Sequence, residues 1–221
     1  PECACATNIC AQYSIDPRPP HAEAVRRICR HLKGTVNEGL HIKPAGSQLS
    51  LDCMVDADYA GNWNVPEAAD PASVKSRCGY VITLGNIPVL WKSKRIQEIC
   101  LSTMESEYIS LSMAMRSLVY LRGMLFEIDS IFKLKLGDRI STISTVFEDN
   151  TPALTLATTD PPRMTPRSKS LAVKYHWFRS HLSPTTILVK HVGTHDNVAD
   201  IFTKALPFEA FSRHRRTLCG W

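Results

Sequence analysis

From Leu49 the chain takes on a period of two. Leu49, Leu51, Cys53 and Val55 alternate with Ser50, Asp52, Met54 and Asp56, the spacing of a strand whose two faces differ. Residues 79–84 and 88–93 offer two further strands, and the Gly85-Asn86 pair between them predicts a hairpin. The period then lengthens. Met104, Leu111, Met115, Leu118 and Leu125 share one stripe at about 100° per residue and predict a long helix over about residues 103–128. Strands follow at 143–148 and 186–191. Helices are expected near Pro152, over about 170–181 after a loop rich in Pro and Arg, and from about Asn197.

Upstream, Ala22, Val25, Ile28, Cys29 and Leu32 recur at threes and fours with arginines on the other side, an amphipathic helix ended by Gly34. Asp16-Pro17-Arg18-Pro19-Pro20 is a rigid break, so residues 1–13 should form a separate short helix. The order of elements implies an α/β fold: a mixed sheet covered by helices, with a small helical appendage in front. The expected division is 1–46 for the appendage and 47–221 for the main domain.

A chain of 221 residues that is 44% hydrophobic and 21% charged can bury a real core and is neither disordered nor collagen-like. No apolar run approaches the roughly 20 residues of a membrane helix, so no membrane partner is expected. The eight cysteines are scattered and include no C-x-x-C pair, which favours reduced thiols used as small apolar filler over a disulfide framework or a zinc site. A net charge of +5 leans toward polyanions. Its clusters are Arg26 to Lys33 in one helix, Arg163, Arg167 and Lys169 in one loop, and Arg213 to Arg216 near the end. Each could track phosphates or simply be a solvated face.

Four acids stand apart by position. Asp56 ends the first strand on the face opposite Leu51, Cys53 and Val55; Asp149 closes the 143–148 strand; Asp200 falls in the first turn of the last expected helix. Taken singly, each reads as a solvated or dipole-stabilised carboxylate. Glu107 does not, because it lies inside the apolar stripe of the long helix and so faces the core. A buried carboxylate needs a cation, a hydrogen-bond partner or a raised pKa. Converging carboxylates repel by roughly 4 kcal/mol per pair at 4 Å and an effective dielectric near 20, so a cluster of four implies divalent cations. Oxygen ligands without Cys or His suit Mg²⁺ or Mn²⁺.

Five segments, Val55-Asp56-Ala57-Asp58-Tyr59-Ala60-Gly61, Lys92-Ser93-Lys94, Leu101 to Tyr108, Glu148-Asp149-Asn150 and Val198 to Lys204, resemble in order those of the Ty1/copia-type retrotransposon ribonuclease H domain. The likeness runs from about Leu49 to Trp221. His21 to Thr35 looks like the segment joining the reverse transcriptase to that domain, although the polymerase aspartate motif is absent. The family has Ser or Thr where Cys78 stands and His where Ser170 stands; neither touches the four acids.

The resemblance implies a ribonuclease H-like fold with a five-stranded mixed sheet, three strands antiparallel and then two parallel, flanked by helices. It implies a D-E-D-D metal site at Asp56, Glu107, Asp149 and Asp200, two Mg²⁺ ions (or Mn²⁺ in their place) about 3.5–4 Å apart, and hydrolysis of the RNA strand of RNA–DNA hybrids. Asp56 is expected to bridge both ions, with Glu107 and Asp149 at one and Asp200 at the other. Candidate contacts to nucleic acid are Ser102, Thr103 and Asn150 beside the acids, and Arg163, Arg167 and Lys169 on phosphates. His191 and His195 are candidate auxiliaries to proton transfer or product release, with a surface role as the default, and His176 is expected to be structural. Further partners implied are the upstream reverse transcriptase of the same polyprotein, in an intracellular setting: a cytoplasmic virus-like particle or the nucleus. The rival readings are a catalytically inactive binding or connection module of the same fold, a DDE-type transposase or integrase, and a decayed fragment. The transposase reading is weakened because its glutamate would come from a late helix.

Overall fold

A computed structural model describes residues 1–43, 49–61, 63–65, 73–138, 140–159 and 175–221. Three strands come first in the main domain: β1 (Leu51–Asp58), β2 (Arg77–Leu84) and β3 (Ile87–Arg95). They pair antiparallel, with Leu51 opposite Leu84 and Leu84 opposite Ile87. Gly85 and Asn86 both adopt positive φ (58° and 68°), the left-handed pair that a two-residue hairpin needs and that a β-branched residue would resist. β4 (Ser144–Glu148) and β5 (Ile187–His191) add in parallel, giving the order β3-β2-β1-β4-β5.

The helix α3 (Thr103–Phe132) lies across one face of this sheet. It runs 30 residues, four beyond the expected end at 128, and its C-terminal residue is followed by Lys133 in the left-handed conformation. Ser102 caps its start by accepting the N–H of Glu105 at 3.2 Å. Leu111, Met115 and Leu118 are fully buried against Cys53, Val55, Tyr80, Ile82 and Val146, as the stripe required. Arg122 ties the helix to the start of β4 by donating to Ser144 Oγ at 2.6 Å and the Thr142 carbonyl at 2.8 Å. On the same side, α4 (Thr151–Thr158) follows β4 at once, capped by Asn150, which accepts from the Ala153 N–H.

A second, smaller core covers the opposite face, where Val81 and Met54 meet Val198, Ile201, Phe202 and Leu218. Here the structure corrects one expectation. The last helix does not start near Asn197: Val198–Phe202 is a 3-10 turn, and α5 (Phe208–Cys219) begins only after Pro207, whose missing N–H and fixed φ suit a helix start and not a helix interior. Of the expected 170–181 helix the described residues are 175–181: Tyr175 is helical and His176–His181 continues as 3-10, with Trp177 donating to Ser112 Oγ at 2.8 Å and His176 bonded to the Tyr108 hydroxyl. His176 is therefore a structural contact to α3.

The appendage consists of α1 (Ala4–Ala11) and α2 (Pro19–Gly34). α1 packs against β3, and its Asn8 Oδ1 accepts from the buried guanidinium of Arg77, at the start of β2, at 2.6 Å. α2 buries none of its residues, and His31 on it reaches the rings of Phe211 and Trp221. The expected boundary between residues 46 and 47 lies outside the described residues.

All eight cysteines are free thiols, and five of them are buried. Burial pushes Cys78 up to about 12, so it stays protonated and serves as packing.

Candidate metal centre

At the C-terminal end of β1 the alternation of buried and half-buried positions stops: Val55, Asp56 and Ala57 are all buried. Asp56 stands opposite Gly79 of β2. A Cβ on Gly79 would lie 2.6 Å from Thr203 Cγ2 and 2.7 Å from Phe202 Cβ, so glycine there is what lets the 197–204 segment lie directly on the sheet beside Asp56. Asn197, fully buried, fixes the segment: its side-chain amide donates to the Val55 carbonyl at 2.8 Å while its oxygen accepts the Ala199 N–H at 3.1 Å. Asp200 is thereby carried to within reach of Asp56, and the Thr203 hydroxyl donates to Asp56 Oδ2. Lys204 Nζ lies 2.8 Å from Asp200 Oδ1 and 3.8 Å from Asp56 Oδ2.

From the other side of the sheet α3 brings Glu107, 4% exposed, and β4 ends in Glu148 followed by Asp149. Two groups of oxygens result. Asp56, Asp149 and Asp200 each place one carboxylate oxygen within 4.8 Å of the others, and so do Glu107, Glu148 and Asp149. All four acids marked in the sequence therefore converge. The carboxylate common to both groups is Asp149.

The electrostatics follow from this crowding. Burial, then the charges of Glu148, Asp56 and Asp149, push Glu107 up to about 11. Asp56 is pushed up to about 7, mainly by burial; Asp200 and Asp149 add to the rise, and Lys204 and the Thr203 hydroxyl oppose it. Glu148 also titrates well above the usual carboxylate range, again chiefly from burial. Glu107 Oε2 and Glu148 Oε2 are buried with no hydrogen-bond partner among the described residues. Orphaned, hard carboxyl oxygens in a group of this geometry fit a divalent cation of the Mg²⁺ or Mn²⁺ kind, whose charge would displace their protons.

Glu148, Asn197, Thr203 and Lys204 were not singled out from the sequence. The signal for Glu148 was strand parity: it shares a face with the fully buried Val146 two residues earlier. No comparable local signal marks Asn197, whose role depends on a partner 142 positions away.

Ser102, half-buried, caps α3, Thr103 is exposed in its first turn, and Asn150, half-buried, directly follows Asp149 and caps α4. Arg163, Arg167 and Lys169 lie outside the described residues. His191 is exposed at the end of β5. His195 is exposed in the 3-10 turn Thr194–Asp196, its Nδ1 3.4 Å from Asp196, and neither histidine belongs to the acid groups. Just past the end of β1, Tyr59 and Trp63 line an open groove with Ile99 and Leu101, and Tyr59 and Trp63 are 39% and 50% exposed.

Three antiparallel strands continued by two parallel ones in the order β3-β2-β1-β4-β5, helices on both faces, and buried acids at the ends of β1 and β4 define a ribonuclease H-like fold. The chain belongs to the Ty1/copia-type retrotransposon Pol polyproteins. It is 33% identical over 211 residues, 96% of its length, to the retrovirus-related Pol polyprotein from transposon RE1 of Arabidopsis thaliana. To the polyprotein from transposon RE2 of the same plant it is 32% identical over 218 residues, 99% of its length. The chain spans only 13% and 14% of those two relatives. Among solved structures, ribonuclease H1 of the halophilic archaeon Halobacterium salinarum superposes on 70% of the chain and 94% of its own, at 15% identity and a TM-score of 0.45. No protein-family model matches the chain.

Proposed function

We propose that this domain is a ribonuclease H that hydrolyses the RNA strand of RNA–DNA hybrids during retrotransposon reverse transcription. The observation that carries the reading is the convergence of Asp56, Glu107, Asp149 and Asp200, four acids from four separate elements, into two oxygen groups with orphaned buried atoms. Such a cluster is stable as a set of anions only around cations. Two Mg²⁺ ions held by these acids would supply the Lewis acidity that turns water into a nucleophile and steadies the leaving 3′ oxygen.

The chain's own residues do the rest. Thr203 and Lys204 hold Asp56 and Asp200 in place from one side, and Asn197 fixes their backbone to β1. The cap Asn150 next to Asp149, and the cap Ser102 and first-turn Thr103 of the helix that carries Glu107, are our candidates to meet 2′-hydroxyls of the RNA strand. Tyr59 and Trp63 offer aromatic faces against which sugars or bases can rest. The reverse transcriptase of the same polyprotein is the natural upstream partner, and an intracellular setting follows from it. Among the described residues no helix is long and apolar enough to cross a membrane.

The test is cleavage of a hybrid carrying end-labelled RNA, by the parent and by Glu107→Gln, in Mg²⁺ and in chelator. The parent in Mg²⁺ should release fragments with 5′-phosphate and 3′-hydroxyl ends, and the other three reactions should release none. Hybrid binding without cleavage by the parent in Mg²⁺ would replace the proposal with an inactive binding module.

A further inference from the structure

Glu148 is the last residue of β4 and points inward. Along this strand Ser144, Val146 and Glu148 are fully buried while Thr145 and Phe147 are half-buried, so the pleat places the carboxyl on the side of α3 and Glu107. Its Oε1 accepts the Asn150 N–H at 3.0 Å. Its Oε2 is buried and has no hydrogen-bond partner among the described residues, and Glu107 Oε2 is in the same condition. One oxygen from each, with one from Asp149, lies within 4.8 Å of the others.

Charge compensation in the centre is lopsided. Lys204 forms its ion pairs with Asp200 and Asp56; among the described residues no ion pair reaches Glu107 or Glu148. The oxygens that lack both a proton donor and a cation are thus gathered in one of the two groups. A buried acid in that position is costly to keep unless something divalent completes it, and its donors are hard oxygens only.

We propose that Glu148 is a fifth metal ligand, and that Glu107, Glu148 and Asp149 form the tighter of two divalent-cation positions, filled before nucleic acid arrives. The second position, at Asp56, Asp149 and Asp200, has Lys204 already in it and takes its ion more weakly. This inference rests on the two-cation reading above and assigns an order and an additional ligand to it.

Calorimetric titration of Mn²⁺ into the full 221-residue chain without nucleic acid tests it. Glu148→Gln is the informative variant, and Glu209→Gln, an exposed acid on α5, is the control. Glu148→Gln should weaken the first binding event at least tenfold and leave melting in chelator unchanged or higher, because it removes a buried, unpartnered acid while keeping its shape; Glu209→Gln should match the parent. First-event affinity within twofold of the parent overturns the proposal, as does a variant that melts lower in chelator yet gains as much from Mn²⁺. Should Glu148→Gln not fold, Glu148→Asp keeps the charge and withdraws the oxygen, and the same criterion applies. Weakened Mn²⁺ binding in a chain that cuts no hybrid would sink the nuclease reading and leave this site standing. Hybrid cleavage with Mn²⁺ affinity indifferent to Glu148 would do the reverse.

Discussion

Acids in this centre can lean on neighbours that sequence spacing does not reveal. Asp56 is the clearest case, since the Thr203 hydroxyl fixes one of its oxygens from 147 positions away. Hydrogen bonds to charged groups contribute about 1.5–3 kcal/mol, so Thr203→Val should lower kcat for hybrid cleavage roughly tenfold with KM unchanged. An unaltered kcat would show that Asp56 needs no such support. Past the end of β1, Trp63 is a surface aromatic with no packing duty in either core. Base–aromatic stacking is worth about 1–3 kcal/mol, so Trp63→Ala should raise KM by roughly tenfold and spare kcat. Binding curves for parent and variant that coincide would remove the groove from the substrate path. The four acids were legible because each sat where a bland acid is least at home or in a recognisable segment. Glu148 is less legible, since the adjacent Asp149 carries the motif and only strand parity with the buried Val146 marks Glu148 as inward-facing.

At the scale of elements, strands and the long helix could be read directly because a single period dominates each. The β1 alternation, the Gly85-Asn86 turn and the α3 stripe all appear where the sequence put them. The 197–204 segment could not be read so. Its conformation is set by contacts with β1 and β2 and not by a repeat of its own, and the helical signals around Asn197 belong to a 3-10 turn pinned by that residue's side chain. Gly79 is the sequence's contribution from the other strand, leaving the room into which Phe202 and Thr203 settle. Gly79→Ala should therefore cost about 1–3 kcal/mol in urea unfolding and also weaken cleavage, by displacing Asp200 from Asp56. Lost stability with full activity would mean that the segment adjusts without moving its acid.

For the molecule as a whole, the acid centre sets how stability depends on pH. Glu107 and Asp56 titrate near 11 and 7 in the folded chain against ordinary values of 4.5 and 3.8. A raised carboxyl contributes stability that is complete below its unfolded value and is lost as pH climbs through its folded one. In chelator the melting temperature should therefore fall steadily from pH 5 to pH 9, and excess Mg²⁺ should cancel the fall by supplying the missing positive charge. A chelated protein whose melting temperature is flat or rises over that range would contradict the burial of these acids. The appendage belongs to this scale as well: α1 is held by Arg77 against the sheet, whereas α2 offers an amphipathic surface with none of its residues buried.

The most direct measurement is anomalous diffraction from crystals of the chain grown with an RNA–DNA hybrid and Mn²⁺, using Asp200→Asn to slow cleavage. The account predicts a strong manganese peak among Glu107, Glu148 and Asp149 and a weaker one between Asp149 and Asp56, with the RNA strand lying across both. A hybrid bound elsewhere, or acids with no manganese between them, would contradict it.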